Sequence, residues 1–375
     1  MKIILSVEAL TPQLTGIGRY TWQLAAGLPR VMPQGSIRFH HQQRWVQNPA
    51  LLLCDPPDDA FIVPKSRIPW GFRRIHKRLN RPNWRRDCRD SVFHGPNFFV
   101  PDYAERAVVT IHDLSVFKYP ETHPKERIDQ FNRDFPRSIA KASQIITDSE
   151  ATRLEVVSFT GIPESRVTTV HLAANHVYRP READELVSDL AAFGLLPGMY
   201  TACVSTLEPR KNIANLISAY RRLPNGLRNR IPLVLAGGNG WLSDSLQCEI
   251  ESASAEGWLK YLGFVPEAAL PAIYAGARVF AYPSVYEGFG LPVLEAMASG
   301  VPVVASNRTS LPEVTQGNAL HVDPDDVVGL SEALVRAMED EEWRRHVVSR
   351  GLVTASKYSW ERCIQETIAV YRRLS

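Results

Sequence analysis

The chain has 375 residues, of which 45% are hydrophobic and 22% are charged, and its formal net charge is +3. This composition is typical of a soluble globular protein with enough chain for two domains, and no apolar run approaches the roughly 18 residues that a membrane-spanning helix needs. The five cysteines are odd in number and form no C-x-x-C pair, so the sequence indicates neither a zinc ribbon nor a disulfide framework, and we expect a reducing, cytosolic environment.

The first predicted element is a strand at the start of the chain. The run KIILSV is stopped by Glu8, so it is too short for a signal peptide. Similar runs follow along the chain: SVFHG, AVVTIHD, QIITDS and VTTVHL in the first half, and YTACVST, PLVLAGG, LKYLGF, RVFAYPS, VPVVAS and ALHVDP in the second. Continuous, β-branched runs of this length are typical of strands buried on both faces of a parallel sheet.

Helical patterns lie between these runs, at Asn212–Leu223, Leu270–Ala275 and Leu330–Met338. The alternation predicts an α/β fold, and its occurrence in two series predicts two Rossmann-like domains that face each other across a cleft. The irregular segment Asn175–Gly198 places the boundary near Arg179–Pro180. The predicted units are residues 1–178, residues 179–359, and a C-terminal helix of residues 360–375 that could pack back on the N-terminal domain.

Ligands of open α/β sheets bind beyond the carboxyl ends of the strands, so residues that follow predicted strands are candidates for chemistry. The stretch YEGFGLPVLE places Glu287 and Glu295 on either side of a glycine-rich turn, before a helix predicted over Pro292–Ser299. Both carboxylates could accept hydrogen bonds from the hydroxyls of a sugar and a ribose. The alternative is that Glu295 only complements the helix dipole.

The turn between the two glutamates offers backbone rather than side chains to a ligand. Gly288 and Gly290 permit a close approach to the main chain. The amides of Phe289, Gly290 and Leu291 stand at a helix start without helical partners, so they can donate to hydroxyls or phosphate oxygens.

A second candidate site follows another predicted strand, in STLEPRKN. After Ser205, the loop presents Arg210 and Lys211 just before a helix that begins near Asn212. Two cations at the positive end of a helix dipole suit a diphosphate, and they would offset the charge that develops if the diphosphate leaves. The alternative is an exposed basic loop.

Two weaker motifs lie in the first half. GIGRY supplies Gly16 and Gly18 before a helix, but it lacks the third glycine of the dinucleotide fingerprint. In IHDLS, His112 ends a predicted strand and could contact a sugar hydroxyl, or it could be a buried histidine with Asp113 as a helix cap. We find no D-x-D triplet that would indicate a metal bound at a diphosphate. DPDD is interpreted as a helix start with Asp323 as its cap.

Taken together, GIGRY, IHDLS, STLEPRKN, EGFGLPVLE and ASGVPVVAS resemble the retaining GT-B glycosyltransferases of family 4, over nearly the whole chain. The resemblance implies that Arg210 and Lys211 grip the diphosphate of a nucleotide-sugar, that Glu295 binds the ribose, and that His112 contacts the donor sugar. It further implies that Glu287 and the turn amides orient that sugar, and that Gly18 approaches the phosphates. The base would lie near Gly263, Phe264 and Val265.

The resemblance is strongest to mannosyl- and rhamnosyltransferases of bacterial surface polysaccharide (O-antigen-like) assembly. It implies a GDP-linked hexose donor, a glycan or polyprenyl-linked acceptor, retention of anomeric configuration and no metal cofactor. Two other classes stay open: a nucleotide-sugar epimerase of the same architecture, and a non-catalytic protein that binds membrane or polyanions.

The segment Lys65–Arg89 concentrates positive charge. It holds ten Lys or Arg and one Asp, a net charge of +9, which leaves −6 for the rest of the chain. Aromatic residues interleave the basic ones, which favours an anionic membrane surface and hence a peripheral position on the cytoplasmic face of the inner membrane. A solvated loop and nucleic-acid binding are the alternatives, and no recognised nucleic-acid module accompanies the segment.

Overall fold

The chain forms two α/β units, each built on its own sheet. A computed structural model describes residues 1–54, 84–238, 240 and 244–374. Within these residues the first sheet contains β1 (Lys2–Ser6), β2 (Ile37–His41), β3 (Arg44–Val46), β4 (Ser91–Gly95), β5 (Arg106–Ile111), β6 (Ala142–Thr147) and β7 (Val167–Thr169). The second contains β8 (Thr201–Val204), β9 (Leu233–Ala236), β10 (Leu259–Tyr261), β11 (Val279–Tyr282), β12 (Val303–Ser306) and β13 (Leu320–Val322).

Both sheets reverse their strand order at a central strand. The first runs β3-β2-β1-β4-β5-β6-β7 and the second β10-β9-β8-β11-β12-β13, and all pairings are parallel except β2 with β3. The order reverses beside β1 in one sheet and beside β8 in the other. Because ligands of doubly wound sheets bind at such switch points, the loops after these strands and their neighbours define the place to look.

Helices cover both faces of the sheets. The helices are α1 (Gly16–Val31), α2 (Trp84–Arg89), α3 (Ser115–Lys118), α4 (Lys125–Lys141), α5 (Glu150–Thr160), α6 (Ala183–Ala191), α7 (Ile213–Arg221), α8 (Asn225–Arg230), α9 (Asp244–Ala255), α10 (Leu270–Ala275), α11 (Leu291–Ala298), α12 (Leu311–Thr315), α13 (Val327–Glu339), α14 (Glu341–Ala355) and α15 (Trp360–Arg372). The predicted doubly wound α/β fold is thus confirmed. The boundary predicted at Arg179–Pro180 falls between β7 and α6, in the connection between the two sheets.

The C-terminal helix returns to the first domain, as the sequence suggested it could. Ile364 and Ile368 of α15 pack into the same core cluster as Ile3 of β1 and Leu24 of α1. A buried polar contact adds to this packing, because the Tyr371 hydroxyl lies 2.6 Å from Nδ1 of His94. The chain therefore crosses between the domains twice, after β7 and again before α15.

The hairpin β2–β3 was not predicted. β2 pairs in parallel with β1 and in antiparallel fashion with β3, which forms the edge of the sheet. Its sequence, IRFHH, contains three basic or imidazole side chains, and Gln42 and Gln43 of the turn have φ of 46° and 58°. Neither the apolar pattern nor the glycine that usually supplies a left-handed turn marks this hairpin.

The helix predicted to begin at DPDD begins three residues later than expected. Asp326, not Asp323, caps α13, with its Oδ1 2.9 Å from the amide of Gly329. Asp323 is instead paired with Arg308 at 2.8 Å. The Asp323 carboxylate also accepts a hydrogen bond from the amide of Asp325, in the turn that precedes α13.

The segment Lys65–Arg89 is described only at its end. Residues 65–83 lie outside the described residues, and Trp84–Arg89 forms α2 beside β4. In the part of the chain that is described, no helix combines the length and apolarity needed to cross a bilayer.

Candidate functional site

Glu287 and Lys211 form an ion pair where the loops after β8 and β11 meet. Lys211 Nζ lies 2.6 Å from Glu287 Oε1 and 3.1 Å from the hydroxyl of Tyr282. Arg210 approaches the other carboxylate oxygen of Glu287 at 3.3 Å. The two predicted cations and the predicted sugar-orienting carboxylate are therefore brought together at one point.

Arg210 is held by further contacts within the same domain. Its Nη2 lies 2.7 Å from Oε1 of Glu208, and its Nη1 donates to the main-chain carbonyl of Tyr286. The buried Glu208, three residues before Lys211, was not predicted as part of the site. Two cations and two carboxylates thus form a nearly charge-neutral cluster, with the guanidinium linking the loops after β8 and β11.

The cluster keeps Glu287 ionised despite its burial. Burial alone would raise the pKa of this carboxyl, but Lys211 and Arg210 outweigh it and lower the pKa to about 2. A buried carboxylate that is held charged by two cations can accept hydrogen bonds from ligand hydroxyls at any physiological pH. Its own cations are also the groups best placed to bind phosphate.

The turn between the two glutamates approaches the first domain closely. A Cβ on Gly288 would lie 1.7 Å from the carbonyl oxygen of His112, so only glycine fits. Gly290 has φ of 101°, a left-handed conformation that favours glycine, and it opens α11. Among the described residues, no protein group accepts a hydrogen bond from the amides of Phe289, Gly290 or Leu291. Their predicted use by a ligand remains a prediction.

Glu295 is covered in this conformation. It is 3% exposed, and its Oε1 lies 2.9 Å from Nη1 of Arg19, the arginine of GIGRY in the first domain. Arg19 also lies 3.0 Å from Glu267. Burial raises the pKa of Glu295, and Arg19 opposes that shift. Its predicted role toward a ribose stays a prediction that requires Arg19 to move.

His112 is buried, and both of its ring nitrogens contact protein atoms. Nδ1 lies 2.6 Å from Oδ2 of Asp148, and Nε2 lies 2.7 Å from the carbonyl oxygen of Pro96. Burial disfavours the imidazolium, but Asp148 outweighs it and raises the pKa of His112. The predicted contact between a ring nitrogen and a sugar would require one of these bonds to break, whereas the His112 carbonyl already faces the turn at Gly288.

The glycines of GIGRY lie at the start of α1. Gly16 is its first residue, and Gly18 packs against Leu14 so closely that a Cβ would lie 2.9 Å from the leucine side chain. Arg19, rather than either glycine, makes the contact between domains. The predicted approach of Gly16 and Gly18 to phosphates remains a prediction.

The remaining predicted residues lie in the second domain. Ser205 follows β8, and its amide donates to the carbonyl of Ala236. Gly263 and Phe264 follow β10, and the Phe264 side chain is 59% exposed, whereas Val265 is buried in the core. If a base binds here, Phe264 offers the available surface.

The sequence did not identify several residues that hold the site together. These are Arg19, Asp148, Ser149, Glu208, Tyr286 and Glu313. Asp148 and Ser149 are the last two residues of the predicted strand run QIITDS, and this position at a strand end was a usable signal. Arg19, Tyr286 and Glu313 act on partners far away in sequence, and no local pattern marks them, whereas Glu208 contacts Arg210 two residues later in the same loop. In the described part of the chain, no group of three or more His, Cys, Asp or Glu is arranged to hold a metal ion.

Two Rossmann-like domains, with paired cations and a glutamate where the loops after β8 and β11 of the second domain meet, define a GT-B glycosyltransferase architecture. Solved structures agree with this fold. WaaG, a glycosyltransferase involved in lipopolysaccharide biosynthesis, superposes with a TM-score of 0.72 at 13% identity over 98% of this chain and 99% of its own. Anabaena HepE in complex with UDP and glucose gives 0.69 at 16% identity over 98% of each chain.

Sequence comparison identifies the family. The model of the group 1 glycosyl transferases matches residues 198–352. The O-antigen chain mannosyltransferase B of Escherichia coli is 40% identical over 100% of both chains. The chain therefore belongs to the group 1 glycosyltransferases, as the motifs indicated.

Proposed function

We propose that this protein transfers mannose from a nucleotide-diphospho-sugar to a growing glycan in O-antigen-type polysaccharide synthesis. The full-length identity of 40% to an O-antigen chain mannosyltransferase supports the choice of sugar and process. The observation that carries the proposal is the Lys211–Glu287 pair, at 2.6 Å, next to amides at the start of α11 that have no acceptor among the described residues. A site of cations, a fixed carboxylate and backbone donors suits a sugar diphosphate.

Each group has a distinct proposed task. Arg210 and Lys211 bind the diphosphate and stabilise the negative charge that develops as it leaves. When the donor binds, some of the contacts that Arg210 and Lys211 make with Glu208 and Glu287 are replaced by contacts with phosphate oxygens. Glu287 and the amides of Phe289 and Gly290 orient the mannosyl group through its hydroxyls.

The donor is proposed to be GDP-linked, and the reaction to retain the anomeric configuration. Retention would follow if the acceptor attacks from the face that the diphosphate leaves, so that a phosphate oxygen takes the acceptor proton. Glu287 is an implausible covalent nucleophile, because Lys211 and Arg210 hold its carboxylate. The transfer is proposed to need no divalent metal, since the two cations supply the positive charge.

The acceptor is proposed to be a glycan, either free or linked to a polyprenyl carrier. We further propose that the basic segment Lys65–Arg89 brings the enzyme to the anionic cytoplasmic surface of the inner membrane, where such an acceptor lies. The net charge of +9 in this segment supports the proposal. Flotation with liposomes that contain phosphatidylglycerol, compared with neutral liposomes, tests it directly; equal recovery with both would refute it.

A donor panel tests the proposed reaction. The purified protein is incubated with GDP-mannose, GDP-rhamnose, UDP-glucose and UDP-galactose, together with a lipid-linked glycan extract. We expect incorporation from GDP-mannose, persistence of activity in EDTA, and an α-linked product by NMR. Transfer only from a rhamnose or glucose donor would refute the sugar, loss of activity in EDTA would refute metal independence, and no transfer from any donor would refute the function.

A further inference from the structure

Asp148 and Ser149 are neighbours in the chain, and each holds a different part of the proposed donor-sugar site: Asp148 holds His112, and Ser149 holds the turn at Gly288. Both directly follow β6, at the carboxyl edge of the first sheet. Both are buried, with exposures of 3% and 0%. One contacts the first domain's own His112, and the other contacts Gly288, which belongs to the second domain.

Asp148 fixes the orientation of His112. With Asp148 at Nδ1 and the Pro96 carbonyl at Nε2, the imidazole is held at both ends, at 2.6 and 2.7 Å. A ring fixed at both ends also fixes the backbone that carries it. That backbone presents the His112 carbonyl to Gly288, at the contact where a Cβ would lie 1.7 Å away.

Ser149 holds the turn itself. Its hydroxyl donates to the carbonyl of Gly288 at 2.6 Å, and the hydroxyl of Thr152, one turn further along α5, donates to the same oxygen at 3.1 Å. Ser149 Oγ also accepts from the amide of Thr152 and so caps α5. The carbonyl immediately before the Phe289 amide is therefore bound by two side chains of the other domain.

A second contact fixes α5 relative to the second domain. Glu313 of α12 accepts from the amides of Glu150 and Ala151, at 2.8 and 3.0 Å, and lies 2.8 Å from Nε2 of His171. These bonds satisfy amides at the start of α5 that lack helical partners. The start of α5 thus binds the second domain at two separated points, Gly288 and Glu313.

We propose that Asp148, Ser149 and Thr152 are positioning residues for sugar transfer, which align the Gly288–Leu291 turn against His112 when the two domains are closed. The inference rests on the proposed function, because it takes this turn as the donor-sugar site. Misplacement of a reacting group by about 1 Å can cost about a hundredfold in rate. The proposed diphosphate-binding side chains, Arg210 and Lys211, belong to the second domain and are bonded to Glu208, Tyr286 and Glu287 rather than to Asp148, Ser149 or Thr152.

Thr152→Val is the most selective variant, because it keeps the shape of the side chain and leaves the Ser149 cap in place; besides the bond to Gly288 it removes the 3.1 Å contact between the Ser149 and Thr152 hydroxyls. Asp148→Asn removes the charge that faces His112, and Ser149→Ala removes both the bond to Gly288 and the cap. Ser359→Ala is the matched control: Ser359 caps α15 in the same way, 3.1 Å from the amide of Arg362, and among the described residues its hydroxyl makes no hydrogen bond to the turn.

We expect kcat for mannosyl transfer to fall about tenfold or more in Asp148→Asn, Ser149→Ala and Thr152→Val, with the Kd for GDP unchanged. Hydrogen exchange of a peptide covering residues 286–294 should quicken in Ser149→Ala and Thr152→Val. Ser359→Ala should match the wild type in all three measurements.

Wild-type kcat and wild-type exchange in Ser149→Ala and Thr152→Val would overturn the inference, as would a loss of GDP affinity parallel to the loss of kcat. If the wild type transfers no sugar, the proposed function fails. The hydrogen-exchange measurement alone then decides whether Ser149 and Thr152 hold the turn. Faster exchange then supports a role of these side chains in holding the turn, and unchanged exchange refutes it.

Discussion

Arg19 and Glu295 form an ion pair across the two domains, with 2.9 Å between Nη1 and Oε1. Arg19 belongs to the first turn of α1 and Glu295 to α11, so the pair joins the GIGRY motif to the second glutamate of the EGFGLPVLE motif. The carboxylate predicted to bind a ribose is satisfied by a cation from the facing domain. Access of a nucleotide to Glu295 therefore requires this pair to separate.

Replacement of Arg19 should favour an open arrangement of the domains. In Arg19→Ala the buried Glu295 loses its cation, and an unpaired buried carboxylate costs several kcal/mol, on the order of 3–5. The cost is relieved if the domains open and water solvates the Glu295 carboxylate, or if that carboxylate takes up a proton. We expect a larger radius of gyration by small-angle X-ray scattering at pH 8, with Arg19→Lys closer to the wild type.

Arg230→Ala, which removes an exposed pair with Glu339 within the second domain, is the control and should leave the scattering curve unchanged. An Arg19→Ala curve that superposes on the wild type would contradict the role of Arg19 in domain closure.

The low pKa of Glu287 predicts a pH dependence of stability. Its pKa is about 2 in the folded protein, against an ordinary value of 4.5, so the unfolded state binds the proton more readily. The contribution is fully present above about pH 5 and is lost as the pH falls toward 2; its upper bound is about 3 kcal/mol. Urea unfolding should show that the free energy of unfolding decreases less between pH 7 and pH 4 for Glu287→Gln than for the wild type. Equal decreases would show that Glu287 does not titrate as described.

The buried contact between Tyr371 and His94 predicts how strongly α15 is anchored. Burial, with the nearby His112, lowers the pKa of His94 to about 3, so the ring is neutral and needs hydrogen-bond partners at both nitrogens. Tyr371→Phe leaves Nδ1 without one, and we expect a loss of about 1–3 kcal/mol in the free energy of unfolding. Tyr358→Phe removes only contacts of 3.4 Å or longer and should cost less. Equal losses in both variants would argue against a specific anchor.

The close contact between Gly288 and the His112 carbonyl predicts that any side chain at position 288 disturbs the turn. In Gly288→Ala the new Cβ would clash with the His112 carbonyl, so the turn or the domain contact must shift. We expect mannosyl transfer to fall at least tenfold, in line with the misplacement of a reacting group. Gly226→Ala, where a Cβ meets nothing within 4 Å, is the control and should keep both activity and thermal stability. Normal transfer by Gly288→Ala would contradict the close fit.

The strands of both sheets were largely predictable, because a strand buried on both faces must be a continuous apolar run, as in VFAY of β11. β2 was missed because it lies next to the edge strand of its sheet and can carry Arg38, His40 and His41. The C-terminal helix was recognised, but its docking depends on a contact between Tyr371 and His94 that no local pattern reveals.

The residues of the candidate site also fall into those that the local sequence predicts and those that depend on contacts between the domains. Lys211 and Glu287 were found because the loops that carry them follow strands, and the fold brings those loops together. Arg19 and Ser149 were missed because their importance lies in which residue of the other domain they meet. That depends on how two domains dock, and docking leaves no periodic signal in either segment.

The pairing of Lys211 and Glu287 at the proposed site of mannosyl transfer is tested most directly by one variant. Initial rates are measured with saturating GDP-mannose and a lipid-linked glycan acceptor for the wild type and for Glu287→Gln, which has nearly the same shape. We predict transfer by the wild type and a decrease of about a hundredfold in kcat for the variant, with a folded, cooperatively melting protein. Transfer by Glu287→Gln at the wild-type rate would contradict the assignment of this carboxylate to the donor sugar.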